Sequence, residues 1–178
     1  MHRETYWLIV DTVRVKDAEI MVRKAFDIKN SIPLFKGCQF EHLLPQSPLV
    51  IELGPDTDVL NKWLSLPFLN INSVIFKADE NVHQDELLSH LQALLIAYID
   101  GHKMLFRYYT NAMWCDVKKN KMELDPLDLI ALLGPAQSFY WVDDKQQIQS
   151  ISRTLIPYVQ YKSLAVCTLI SPYFKQWI

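Results

Sequence analysis

A chain of 178 residues with half its side chains apolar, 12% aromatic and only four glycines can bury a sizeable core, and it is not a disordered tail. Its formal charge of −2 gives no global basic face for nucleic acid. Three widely spaced cysteines, Cys38, Cys115 and Cys167, include no CxxC pair and fit a reducing compartment better than a disulfide framework.

Residues 6–12 are a β-rich apolar run that ends too early, at Asp11, to read as a signal peptide. Ala18, Met21, Val22, Ala25 and Phe26 have helical spacing. Residues 32–37 and 48–54 are two more strands, with Pro33 and Pro48 at their starts, where a missing N–H matters least. Asp56 or Thr57 is expected to cap a helix carrying Leu60, Trp63 and Leu64, and residues 73–77 form a fourth strand.

Asn81 is expected to cap a long helix in which Leu87, Leu88, Leu91, Leu94, Leu95 and Tyr98 recur on one face. Residues 87–99 contain Ser89, His90 and Gln92 and fall short of the ~20 apolar residues that span a bilayer. Asp100-Gly101 is a turn signal, after which residues 104–109 alternate as a strand. Helices follow over 112–118 and 125–133, the second with Pro126 in its first turn and Gly134-Pro135 closing it. Residues 139–142 are a last strand, and Ile148, Ile151 and Leu155 suggest a helix ended by Pro157. Strands separated by helix-length crossovers predict an α/β fold: a mixed, largely parallel sheet covered by helices.

Composition changes after Asp144. Residues 145–178 contain no Asp or Glu and carry Lys145, Arg153, Lys162 and Lys175, giving +4 and leaving −6 on residues 1–144. This divides the chain into an N-terminal lobe, 1–144, and a basic, aromatic C-terminal segment or small lobe, 145–178. Such a segment either folds back to complete the core or meets another protein. In the second case Tyr158, Tyr161, Lys162, Tyr173, Phe174 and Trp177 are the candidate partner-binding residues, because aromatic side chains concentrate at interface centres.

Candidate catalytic sets are sparse. Cys38 and His42 are four apart on a loop, where that spacing guarantees no geometry, so an ordinary thiol is expected. His83 and His90 share a helix face without a third ligand, which favours boundary histidines over a metal site. Asp11, Glu52 and Asp79 each sit near the end of a predicted strand, where an α/β sheet can gather carboxylates around Mg²⁺. A Mg²⁺-dependent phosphate-handling enzyme is therefore the alternative reading, although no glycine-rich phosphate loop accompanies the acids. Arg107, a permanent cation in an apolar strand, is expected to pair with a carboxylate or carbonyls and to serve the fold.

The order Leu34-Phe35-x-Gly37, Pro48 to Leu53, Trp63-Leu64, Val74-Ile75-Phe76, Leu87-x-x-His90-Leu91, Asp100-Gly101, Leu105-Phe106-Arg107-Tyr108-Tyr109 and Leu133-Gly134-Pro135 with Trp141 resembles the adaptor-chaperone family of bacterial type VI secretion systems. The match covers about residues 5–144. That family, long catalogued as a domain of unknown function, is encoded beside toxic effectors and loads them onto the valine-glycine-repeat spike protein. The resemblance implies a cytoplasmic, non-enzymatic protein without cofactors. It also implies that a cognate effector and the spike are partners, and that an α/β lobe precedes a variable, mostly helical C-terminal lobe that helps choose cargo. Thr110 and Asn111 stand where the family often has an Asp.

Overall fold

A computed structural model describes residues 3–117, 124–153 and 166–178. Among these residues nine strands form two sheets. The larger has the order β2-β3-β1-β4-β7-β8, with β1 Glu4–Val10, β2 Ile28–Pro33, β3 Leu49–Leu53, β4 Ser73–Asp79, β7 Ser138–Val142 and β8 Ile148–Ser152. Every pairing in it is antiparallel, so the expected largely parallel sheet is wrong. The smaller sheet, β6-β5-β9, is mixed: β5 Ile96–Ile99 runs antiparallel to β6 His102–Leu105 and parallel to β9 Cys167–Leu169.

The cause of the misreading is burial on both faces. Trp7, Ile9, Val74, Phe76, Phe139 and Trp141 point into one hydrophobic cluster. Leu8, Val10, Ile51, Leu53, Ile75 and Val142 point into a second. Continuous apolar strands are the usual mark of parallel sheets because those are covered on both sides. Here an antiparallel sheet is covered on both sides instead. Helices α1 Ala18–Ala25, α2 Val59–Leu64 and α3 Pro67–Asn70 cover the second cluster through Val22, Val59, Trp63 and Leu69. The first cluster is closed by α4 Gln84–Ala93, α5 Pro126–Leu133 and the small sheet.

Several boundaries differ from expectation. The leucine-striped helix α4 stops at Ala93, with His83 at its N-cap position; the Asn81 N–H instead bonds the Asp79 carboxylate in the preceding turn. Its expected last turn is β5, because Asp100 and Gly101 both adopt positive φ, 50° and 80°, and join β5 to β6 as a two-residue hairpin loop. Residues 106–109 leave the ladder after Leu105, although the Phe106 N–H still reaches Leu95 O at 2.8 Å. The expected helix at 112–118 is a 3-10 turn over Asn111–Met113. Helix α2 starts after Asp58 rather than at Asp56 or Thr57. Helix α5 is as expected: the Asp125 side chain accepts the Leu127 N–H at 2.8 Å, and Gly134 follows the last turn with φ 53°.

The composition break at Asp144 is not a break in the sheet. Asp143, nearly buried, accepts the N–H groups of Lys145 and Gln147 at 2.9 Å and the Gln149 amide at 2.9 Å, and so folds the hairpin into β8. Residues 148–152 are thus a strand, not a helix. Leu155 and Pro157 lie outside the described residues. Farther on, β9 joins the small sheet and the 3-10 helix Pro172–Trp177 places Phe174 against Phe106 and Trp114, with ring centroids 5.9 and 6.2 Å away.

Candidate functional site

Asp11 follows the last residue of β1, where the chain must turn off the sheet. Its backbone N–H bonds Asn72 O at 2.9 Å, and its carbonyl accepts the N–H of Val15 at 2.9 Å. Its own Oδ1 accepts the Val13 N–H at 3.0 Å, the side-chain-to-backbone closure that aspartate makes in tight turns. This leaves Oδ2 for two cations. Arg14 Nη1 donates to it at 2.8 Å and Arg107 Nη2 at 3.1 Å.

Exposure divides the cluster. The Asp11 side chain is 2% exposed, whereas those of Arg14 and Arg107 are 51% and 43% exposed. The acid is therefore in the wall and the guanidinium groups are on the surface. Arg107 is further fixed by the Tyr109 ring, whose centroid lies 5.8 Å from its Cζ. Burial raises the Tyr109 hydroxyl above its ordinary pKa, opposed by hydrogen bonding and charge from Arg107. Thr110, at the position where the family resemblance suggested an Asp, donates its hydroxyl to Arg107 O at 3.1 Å. Arg107 finds a carboxylate as expected, but the partner comes from 96 residues earlier and the arginine stays half in solvent.

The other carboxylates of the proposed Mg²⁺ site do not join Asp11. In the antiparallel register Glu4 faces Asp79 and Val10 faces Ser73, so Asp11 and Asp79 sit at opposite ends of the strand pair. Six residues at ~3.4 Å each put about 20 Å between those ends. Glu52 lies opposite Trp7, part-way along, and meets Lys29 at 3.4 Å. The site depended on a parallel sheet, and it goes with that error. No cluster of metal-ligating side chains is found among the described residues.

The histidine and cysteine candidates are likewise dispersed. The Cys38 thiol donates to Phe35 O at 3.3 Å and accepts the Phe40 N–H, while His42 is exposed on the next turn. His83 is exposed and His90 is buried. His90 Nε2 lies 3.0 Å from Leu132 O, and burial lowers its pKa to about 4. A Cβ at Gly134 would run into the His90 ring, so the His90-Leu91 and Gly134-Pro135 motifs meet face to face.

The remaining motif residues build the frame. Phe35 packs on Phe40, with centroids 5.4 Å apart, and Gly37 turns the chain with φ 71°. Trp63 Nε1 bonds Ser73 Oγ at 2.9 Å, and Tyr108 donates its hydroxyl to Leu91 O at 2.9 Å. Phe106 and Trp141 both touch Trp114. Gly101 shapes the hairpin loop, and Pro135 is half-buried beside Gly134.

Of the candidate partner-binding side chains, Tyr158, Tyr161 and Lys162 lie outside the described residues. Tyr173 and Phe174 are 2% and 0% exposed, so they are core rather than a partner surface. The Tyr173 hydroxyl donates to Met113 O at 2.6 Å. Trp177 remains partly exposed.

Three side chains were not singled out from sequence. Arg14 is the second cation on Asp11. Arg153 donates to Gly134 O and, at 3.3 Å, to Ala136 O, so a tail cation clasps the motif turn. Asp128, fully buried in α5, accepts the N–H groups of Ile170 and Ser171 at 2.9 and 2.7 Å and also the Ser171 hydroxyl. An acid among the apolar side chains of Pro126–Leu133 was the visible signal for it.

A family model described as a domain of unknown function, DUF4123, matches residues 6–117. The chain belongs to that family. No curated protein and no solved structure matches it. The DUF4123 match contains Asp11, Arg14 and Arg107 and stops before α5, so the arginine pair is drawn wholly from the family region. The aromatic core under it also needs Phe139, Trp141 and Phe174 from beyond that region. No helix among the described residues is long and apolar enough to cross a membrane.

Proposed function

We propose that this DUF4123 protein is a cytoplasmic adaptor and chaperone that binds a type VI secretion effector and loads it onto the valine-glycine-repeat spike protein. The support is the ordered motif resemblance together with membership of the family. The observation that carries the reading is what the motif side chains do. Phe35, Trp63, Phe106, Tyr108 and Trp141 are buried as a frame, while Arg107 is held half in solvent. A frame that presents charged surface suits protein recognition. Tethering effector and spike through one adaptor raises their effective concentration for each other without a new contact between them.

Thermal melting of the purified chain tests the proposal. An effector or spike encoded beside the gene, added well above its Kd, is expected to raise Tm by mass action, and Mg²⁺ is expected to leave it unchanged. A Tm that rises with Mg²⁺ and ignores both proteins contradicts the adaptor reading.

A further inference from the structure

We infer that Arg14 and Arg107, presented side by side on the buried Asp11 carboxylate, form a recognition site for a carboxylate on an acidic segment of a protein partner. The inference rests on the adaptor reading and specifies the chemistry of one of its contacts.

Neutralising Asp11 requires one cation. Two are supplied, and both use the same oxygen through a single N–H each, at 2.8 and 3.1 Å. A guanidinium has five N–H donors in a planar arrangement that matches carboxylate geometry, so each arginine keeps donors directed away from Asp11. The cluster carries one net positive charge on a lobe whose sequence totals −6. One excess charge complements one carboxylate and is too little for a polyanion such as nucleic acid. Val13, 48% exposed, lies in the turn between Asp11 and Arg14 and adds an apolar surface beside the two cations.

Preorganisation supports the same conclusion. Arg14 rises from the turn that Asp11 itself closes, and Arg107 lies on the Tyr109 ring. Both are therefore held in place before a partner arrives, which lowers the ordering cost of binding. Asp11 offsets the repulsion between the two cations, and an incoming carboxylate adds a second counter-charge on the open side.

The test uses the full chain and a short labelled peptide of Glu, Leu and Ser, with a matched peptide in which Gln replaces Glu. At low salt the Glu peptide is expected to bind at least about ten-fold more tightly than the Gln peptide, a difference of about 1.4 kcal/mol. Arg14→Gln with Arg107→Gln should abolish that preference. Because that pair leaves a buried acid uncompensated, Arg14→Lys with Arg107→Lys is measured beside it; it keeps the charges, loses the planar donors and should weaken the preference at unchanged Tm. Equal binding of the two peptides, or a preference that survives in both variants, overturns the inference. Effector and spike binding by the same variants separates the two claims. Peptide preference without binding of either protein removes the adaptor reading and leaves the arginine site. Protein binding that ignores both variants removes the site and leaves the adaptor.

Discussion

Two buried carboxylates, Asp11 and Asp128, do opposite work. Asp128 is enclosed on every side by its own chain: two backbone N–H groups and one hydroxyl fasten residues 170–171 to α5. Asp11 gives one oxygen to the Val13 N–H of its own turn and the other to two half-exposed arginines. The difference teaches that burial of an acid does not by itself reveal its role. What matters is whether its partners are sealed in the core or stand in water, because an uncompensated core donor costs far more than a screened surface ion.

The contrast breaks most sharply at Asp128. Asp128→Ala leaves the N–H groups of Ile170 and Ser171 buried without an acceptor, and unfolding in urea should show a loss of about 4 kcal/mol. A loss below about 1 kcal/mol would mean that the C-terminal strap is not held there.

Gly134→Ala comes next. The substitution forces a side chain into positive φ and into the His90 ring, so a loss of about 3 kcal/mol is expected in the same assay. His90→Ala in that background should recover part of it by opening space.

Acid offers a graded version. His90 titrates near 4 in the fold and near 6.5 when unfolded, so its neutral form is shared by both states above pH 6.5. Between 6.5 and about 4 the unfolded chain takes up a proton that the fold excludes. Stability should therefore fall across that window by up to about 3 kcal/mol, with uptake of about one proton on unfolding, and then level for this group. Urea midpoints across that pH range read the slope, and His90→Asn should flatten it.

The smallest effects belong to the surface cluster. Asp11→Asn keeps an acceptor for Val13 but leaves two unbalanced cations, for about 1–2 kcal/mol, and high salt should narrow the gap. Arg107→Ala should cost only about 1 kcal/mol, because Arg14 still covers Asp11. An Arg107→Ala loss as large as that of Asp128→Ala would make the arginine a fold element and erase the distinction.

Much of this frame was legible in the sequence. Asp125-Pro126 and Gly134 bound α5 as cap chemistry demands, and Arg107 needed a carboxylate and has one. Strand direction was not legible, because continuous apolar runs report two covered faces and not orientation. That error carried the Asp11, Glu52 and Asp79 site with it, since only parallel strands would bring those ends together. The acid-free tail reads as a separate unit because composition hides pairing: β8 folds back on β7 as a hairpin across the break, and β9 joins β5 from about 70 residues earlier. Tyr173 and Phe174 looked like interface aromatics for the same reason, whereas the core around Phe106 and Trp114 needed filling. Arg14 was missed because its role depends on a turn built by a neighbour's side chain, which no periodicity records.

The central claim is that this surface serves protein recognition in secretion. Size-exclusion chromatography of the chain co-expressed with a candidate effector and a valine-glycine-repeat spike protein tests that claim directly. The account predicts that the chain co-elutes with the effector, and that the spike joins the same peak. Separate elution of all three proteins, each folded and at concentrations well above micromolar, would contradict it.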